Sequence, residues 1–235
     1  MGSNVRRRDF EVGEQNFLLG FLQQGMVVVD IGAHQGLYTL LASKRVGTKG
    51  RVIAFEPSPR ELGRLKYTLL LNRCRNVRVE PLGLSSSGGL AQLFVCLGRE
   101  TGCNSLKPPA VSEPTKPVQV SLTTFDDYCE RQGMFHVDFL KLDVEGAEME
   151  VLKGATEFLS RKPRPILMCE LADIRTEPWG YLSLEIYEFL AARGFRWFSV
   201  MREGRLCACE KKQNFHENLF AVPEEKLELV DDWIA

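Results

Sequence analysis

The chain has 235 residues, of which 44% are hydrophobic and 26% charged, and its 30 Lys+Arg against 31 Asp+Glu leave a formal net charge of −1. Such a length and apolar content bury a full core without covalent staples, and the reading is a single domain over 1–235. Balanced charge excludes a bulk nucleic-acid binder, a disordered segment and an acidic tail.

Seven cysteines, at 74, 96, 103, 129, 169, 207 and 209, form no C-x-x-C pair. This excludes a disulfide scaffold and points to a reducing, cytoplasmic compartment. Cys207 and Cys209 lack the two further ligands a metal needs, so their thiols are read as unliganded. No stretch approaches the ~18 consecutive apolar residues of a membrane span. Arg7-Arg8-Asp9-Phe10 is superficially like a twin-arginine export signal, but Glu11, Gly13, Glu14, Gln15 and Asn16 follow where an apolar region is required. Residues 1–13 are therefore expected to be a flexible leader.

Short apolar runs then alternate with amphipathic segments, the pattern of βαβ units around a parallel sheet. Met26–Ile31 is an unbroken, β-branched run, as expected of a strand buried on both faces. A glycine-rich turn, a helix over 36–45 and a strand over 51–55 follow. Ser58, Pro59 and Glu61 predict a helix start with Ser58 as N-cap and Glu61 completing a capping box, and Leu62, Leu65 and Leu69 give its apolar stripe. A third strand, 77–82, leads to a hairpin around Ser85–Gly89 and a strand over 90–97. Gly98, Gly102, Pro108, Pro109, Pro114 and Pro117 make 98–117 a long surface loop, a candidate lid or binding segment.

Next come a strand over 118–122, a short helix over 124–131 capped by Thr123 or Thr124, and a core strand over 137–143. Apolar residues at 151, 152, 155, 158 and 159 share one helical face. A strand over 166–170 and a helix over 182–193 that ends at Gly194 lead to aromatic-rich strands at 195–201 and 206–210 and a strand near 218–222. The expected fold class is α/β: a Rossmann-like, doubly wound mixed sheet, mostly parallel with an antiparallel C-terminal edge.

In such sheets the ligand crevice lies outside the carboxyl ends of the strands. There the first strand ends in Asp30-Ile31-Gly32-Ala33-His34-Gln35-Gly36, a D-x-G-x-x-x-G turn and not the G-x-G-x-x-G of a dinucleotide fold. Glycines at 32 and 36 leave room for a ligand against the backbone. Asp30 repels a pyrophosphate and suits a cationic or zwitterionic ligand. Twenty residues after Gly36, Glu56 ends the second strand, where a carboxylate can accept both hydroxyls of a ribose. A nucleoside with positive charge at its other end satisfies both positions, and S-adenosylmethionine is that molecule.

The strings DIGAHQGLYT, VIAFEPSP, VDFLKLDVEGAEMEVLKGA and NLFAVP, in this order over about 14–222, resemble the FkbM family of S-adenosylmethionine-dependent methyltransferases. The resemblance implies a cofactor loop at Asp30, Gly32, Ala33, His34 and Gly36, with Tyr38 and Thr39 opening the next helix. It also implies a ribose acid at Glu56, followed by Pro57 and Ser58, and an adenine site at Leu84-Ser85. The family usually has Asn where this chain has His34. Both side chains donate a hydrogen bond, but His34 can also titrate or face the substrate.

Asp143 and Glu145 follow the fourth core strand and Glu170 ends the fifth, so neighbouring parallel strands bring three carboxylates to one rim. Asp143 lies within reach of cofactor as well as acceptor. Methyl transfer from a sulfonium is an in-line displacement, and a hydroxyl acceptor needs its proton removed. Asp143, Glu145, Glu170 and His34 are the candidates for that base. Structural roles stand beside these: Glu145 as a helix cap, Glu170 as the partner of Arg175. Metal-using class I O-methyltransferases carry an Asp-Asn pair where this chain has Glu170-Leu171-Ala172-Asp173, so no metal is assigned. The [DN]-P-P-[YF] motif of base amino-methyltransferases is absent, which favours an oxygen acceptor.

The sequence therefore reads as an O-methyltransferase acting on a hydroxyl of a small molecule, a sugar or glycan, a lipid-like or a polyketide-like product. No nucleic-acid partner and no membrane span are expected. A non-catalytic S-adenosylmethionine-binding module is the alternative. The basic run Arg60, Arg64, Lys66, Arg73, Arg75 and Arg78 reads either as a solvated face or as an attractor of anionic partners.

Overall fold

The structure is a computed structural model that describes residues 11–98, 102–109 and 112–235; the Arg7-Arg8 stretch and most of the expected leader lie outside them. Helices α1 (Val12–Phe21), α2 (Leu37–Val46) and α3 (Pro59–Leu71) alternate with strands β1 (Val27–Ile31), β2 (Arg51–Phe55) and β3 (Val77–Glu80). The chain continues through β4 (Gly83–Leu84), β5 (Gly89–Cys96), β6 (Thr115–Thr123), α4 (Phe125–Gln132) and β7 (Phe139–Leu142). Then come α5 (Glu148–Lys153), α6 (Thr156–Ser160), β8 (Ile166–Ala172), α7 (Asp173–Thr176), α8 (Ser183–Ala191), β9 (Phe195–Val200), β10 (Leu206–Ala208) and β11 (His216–Pro223).

Eight strands form one sheet in the order β10-β9-β11-β8-β7-β1-β2-β3. β3, β2, β1, β7 and β8 pair in parallel, and β11 inserts antiparallel between β8 and β9. The fold is thus the α/β mixed sheet expected, with its antiparallel edge at the C-terminus. β1 shows why its sequence is an unbroken apolar run: Val28 packs into the core under α1 and α2, while Val29 and Ile31 pack into the core under α4, α5 and α8. Each such fully buried aliphatic side chain contributes about 1.5–3 kcal/mol.

Four expectations need correction. β5 does not hairpin onto β3; it pairs along its length with β6, and with β4 these make a separate three-stranded sheet. The loop is accordingly shorter than 98–117, because β6 begins at Thr115 and Ser105 bridges to Phe94. The helical face at 151–159 belongs to two short helices, α5 and α6, separated by Gly154. Ser58 is the N-cap residue of α3, but its Oγ makes no capping bond, and Glu61, engaged by Arg60 and Arg64, does not complete the box.

The expected leader also ends earlier than residue 13. Glu11 accepts a 2.5 Å hydrogen bond from the Tyr38 hydroxyl and Val12 opens α1. All seven cysteines are thiols without a disulfide. Among the described residues, no helix is long and apolar enough to cross a membrane.

A candidate active-site crevice at the strand ends

The carboxyl ends of β1, β2, β7 and β8 open into a crevice of about 1090 Å³. That is at the upper end of small-molecule sites, which run to roughly 300–1,000 Å³. Its floor is the β1–α2 turn, where the N–H groups of Gly32 and Ala33 donate to the Phe55 carbonyl at 3.1 and 3.0 Å. Gly32 has φ +78°, and a Cβ there would stand 1.8 Å from the Asp143 carbonyl oxygen. Gly36, at φ +90°, would place a Cβ 2.5 Å from Leu65 Cδ1. Gly32 is therefore required by the backbone that follows β7, and Gly36 by its left-handed conformation, before any ligand is considered.

Glu56 is 6% exposed at the end of β2. Its Oε2 accepts the His34 backbone N–H at 2.7 Å and its Oε1 that of Ser58 at 2.8 Å. Each oxygen keeps a second lone pair. Burial raises its pKa to about 7, against the two N–H donors that pull it down; Glu61 and Asp30 push it further up.

The opposite wall is acidic. Single oxygens of Asp143, Glu145 and Glu170 all lie within 4.8 Å of one another, a set that could hold a metal ion. Lys141 Nζ pairs with Asp143 Oδ2 at 3.0 Å, and Arg175 Nε pairs with Glu145 Oε2 at 2.9 Å. Glu170 Oε2 is buried and has no hydrogen-bond partner. Burial, reinforced by Asp143 and Glu145, raises the Glu170 pKa well above the carboxylate range. Glu145 is raised to about 8, first by burial and then by Asp143, with Arg175 opposing.

The family model described as methyltransferase FkbM domain matches residues 30–197. The chain belongs to that family. The FkbM domain is an S-adenosylmethionine-dependent methyltransferase domain, and S-adenosylmethionine is its cofactor. Methyltransferase sdnD of Sordaria araneosa is 36% identical over 157 residues, covering 55% of this chain and 60% of sdnD. Hexuronic acid methyltransferase AglP of Haloferax volcanii is 31% identical, over 66% of this chain and 61% of AglP. The chain thus spans less than two thirds of the length of these relatives. An O-methyltransferase of Bacillus cereus, solved in complex with SAH, superposes with a TM-score of 0.53 over 94% of this chain and 85% of that one, at 14% identity. At that identity the match shows the fold.

Within this FkbM domain the expected site residues divide. Gly32, Ala33, His34, Tyr38, Glu56, Pro57, Leu84, Asp143, Glu145 and Glu170 line the crevice. Asp30, Gly36, Thr39, Ser58 and Ser85 are not among its lining residues. Asp30, 1% exposed, sits behind the turn, where Thr39 donates to it at 2.5 Å and Lys141 Nζ stands 3.7 Å away. Ser58 contributes its backbone N–H to Glu56, and the Ser85 N–H donates to Thr123.

His34 stands apart from the acid cluster; its Nε2 lies 3.5 Å from Glu61 Oε2 on α3. Two structural expectations fail here. The cap of the turn after β7 is Glu148, whose Oε1 accepts the N–H groups of Val144 and Gly146, and not Glu145. Arg175 pairs with Glu145, not with Glu170.

Lys141 also lines the crevice, although no site role was expected for it from the sequence. Register places it beside Asp30, and its ammonium also reaches the Gly32 carbonyl at 3.3 Å and the Tyr38 ring at 5.5 Å. Burial works against its charge, yet Asp143 and Asp30 outweigh burial and raise its pKa above the ordinary lysine value. A lone lysine inside the apolar strand Phe139-Leu140-Lys141-Leu142 was the available signal, because a buried ammonium requires anionic partners. The cofactor fits this crevice: a buried carboxylate with spare lone pairs faces an acidic wall that two cations neutralise only in part. A metal ion would need the same acids, two of which already hold a cation.

Proposed function

We propose that the protein is an S-adenosylmethionine-dependent O-methyltransferase acting on a hydroxyl of a small molecule, sugar, glycan or polyketide-like product, with Glu170 as the base. The observation that carries this is the buried, unpartnered Glu170 Oε2 at the crevice wall. In this reading Glu56 accepts the two ribose hydroxyls on its spare lone pairs. The Gly32-Ala33 backbone supports the chain of the amino acid, and Pro57 and Leu84 flank the base. Asp30 acts indirectly, by holding Thr39 and Lys141.

The cofactor supplies an electrophilic methyl group on a sulfonium. Glu56 and the Gly32-Ala33 turn would present that methyl group in line with an acceptor hydroxyl, so alignment would supply much of the rate. Glu170 takes the hydroxyl proton in its ionised form, and its raised pKa makes that carboxylate a stronger base than an exposed one. Lys141 fixes Asp143 and Arg175 fixes Glu145 through their ion pairs, and these two acids orient the acceptor. The similarity to AglP, named for a hexuronic acid, puts sugars first among acceptors.

The test is transfer of labelled methyl from S-adenosylmethionine to a panel of sugars, uronic acid glycosides, polyketides and lipids. A labelled methyl ether is expected from at least one hydroxylated acceptor. Tight cofactor binding with no transfer to any of them would favour a non-catalytic binding module.

A further inference from the structure

The outer face of α3 is apolar where a solvated helix should be polar. Tyr67, Leu70 and Leu71 are 62%, 74% and 63% exposed. Their i, i+3, i+4 spacing sets them in one stripe, on the side of the helix away from buried Leu65 and Leu69. Residues 59–78 also carry six basic side chains and one acid, Glu61, although the whole chain is balanced at −1. Glu61 is buried and takes up Arg60 and Arg64, and Arg78 pairs with Glu80. Lys66, Arg73 and Arg75 are exposed and make no ion pair among the described residues.

We propose that α3 docks on an anionic lipid surface, with Tyr67, Leu70 and Leu71 entering the headgroup–acyl boundary and Lys66, Arg73 and Arg75 meeting lipid phosphates. An interfacial helix needs both features: apolar area to bury, and basic residues beside it for a negative surface. Charge argues against a second copy of the chain as the occupant, because a two-fold contact would set the same basic residues against each other. Leucines stack poorly on bases, which argues against RNA. The stripe is a convex ridge, suited to a deformable surface more than to a rigid partner. This inference does not depend on the assignment of the crevice.

Flotation of the full chain with vesicles tests it, using phosphatidylcholine alone and an equal mixture with phosphatidylglycerol. Partition into the mixed vesicles only is expected, weakening as salt is raised. Replacing the two exposed leucines that would enter the bilayer, Leu70→Ser/Leu71→Ser, should weaken partition by about a hundredfold, and Arg73→Glu/Arg75→Glu by about tenfold or more. All four positions are exposed, so both variants should melt and bind S-adenosylmethionine as the parent does. Absence of flotation with either vesicle, undiminished flotation of both variants, or capture by immobilised RNA without flotation would overturn the proposal.

Discussion

Glu56 shows how one buried side chain sets a pH dependence. Its carboxyl is raised to about 7 by burial, and a proton on either oxygen would occupy a lone pair that a ribose hydroxyl needs. Cofactor affinity should therefore rise as pH increases through 7 and level off above it. Titration calorimetry at a series of pH values checks this, and Glu56→Ala should weaken binding about tenfold to a hundredfold, the worth of one or two hydrogen bonds to a charged group. The position of Glu56 was legible because an acid ending the second strand of an α/β unit faces the crevice by topology alone. Lys141 was not read, because what it touches depends on the alignment of β7 with β1, a register that no local pattern encodes.

At the scale of elements, segment 102–109 is held over the strand ends by a few polar contacts. Ser105 Oγ donates to the Glu145 carbonyl at 2.8 Å, Arg175 joins Glu145 to Cys103, and Lys107 Nζ reaches the Pro178 carbonyl at 3.3 Å. Arg175→Ala should remove a charge-assisted contact worth about 1.5–3 kcal/mol, so amide exchange in this segment should speed up by roughly tenfold or more. Hydrogen-exchange mass spectrometry would show this, with β1 and β7 unchanged. Strands such as β1 and β2 were legible from unbroken apolar runs, and α4 from Thr124, which accepts from Asp127 N–H at 2.9 Å. The β4-β6-β5 sheet was not, because β5 finds its partner across a proline-rich loop, where sequence proximity favoured a hairpin onto β3.

Across the whole molecule, the buried acids couple folding to cofactor. Glu56 and Glu148 both rise from 4.5 to about 7, chiefly through burial. Between those values the folded chain keeps protons that an unfolded chain has released, so stability is greatest at the acid end and falls as pH rises through 7. Glu225, held to about 2 by Arg164, has the opposite sign and acts below that window. The midpoint of thermal unfolding without cofactor should fall between about pH 5 and pH 8, and saturating S-adenosylmethionine should offset the fall, because its affinity grows over the same range. Net charge of −1 gave no hint of this; the effect comes from where the acids are buried, which composition does not record.

On the proposed reading, Glu170 takes the proton from a hydroxyl acceptor in the FkbM methyltransferase crevice. The most direct measurement is single-turnover methyl transfer to a responsive hydroxylated acceptor by the parent chain and by Glu170→Gln, with cofactor affinity determined on the same samples. The rate should be lower by about 10²–10⁴-fold in the variant, with S-adenosylmethionine affinity within a fewfold of the parent. A variant that transfers methyl at the parental rate while binding the cofactor normally would contradict that reading.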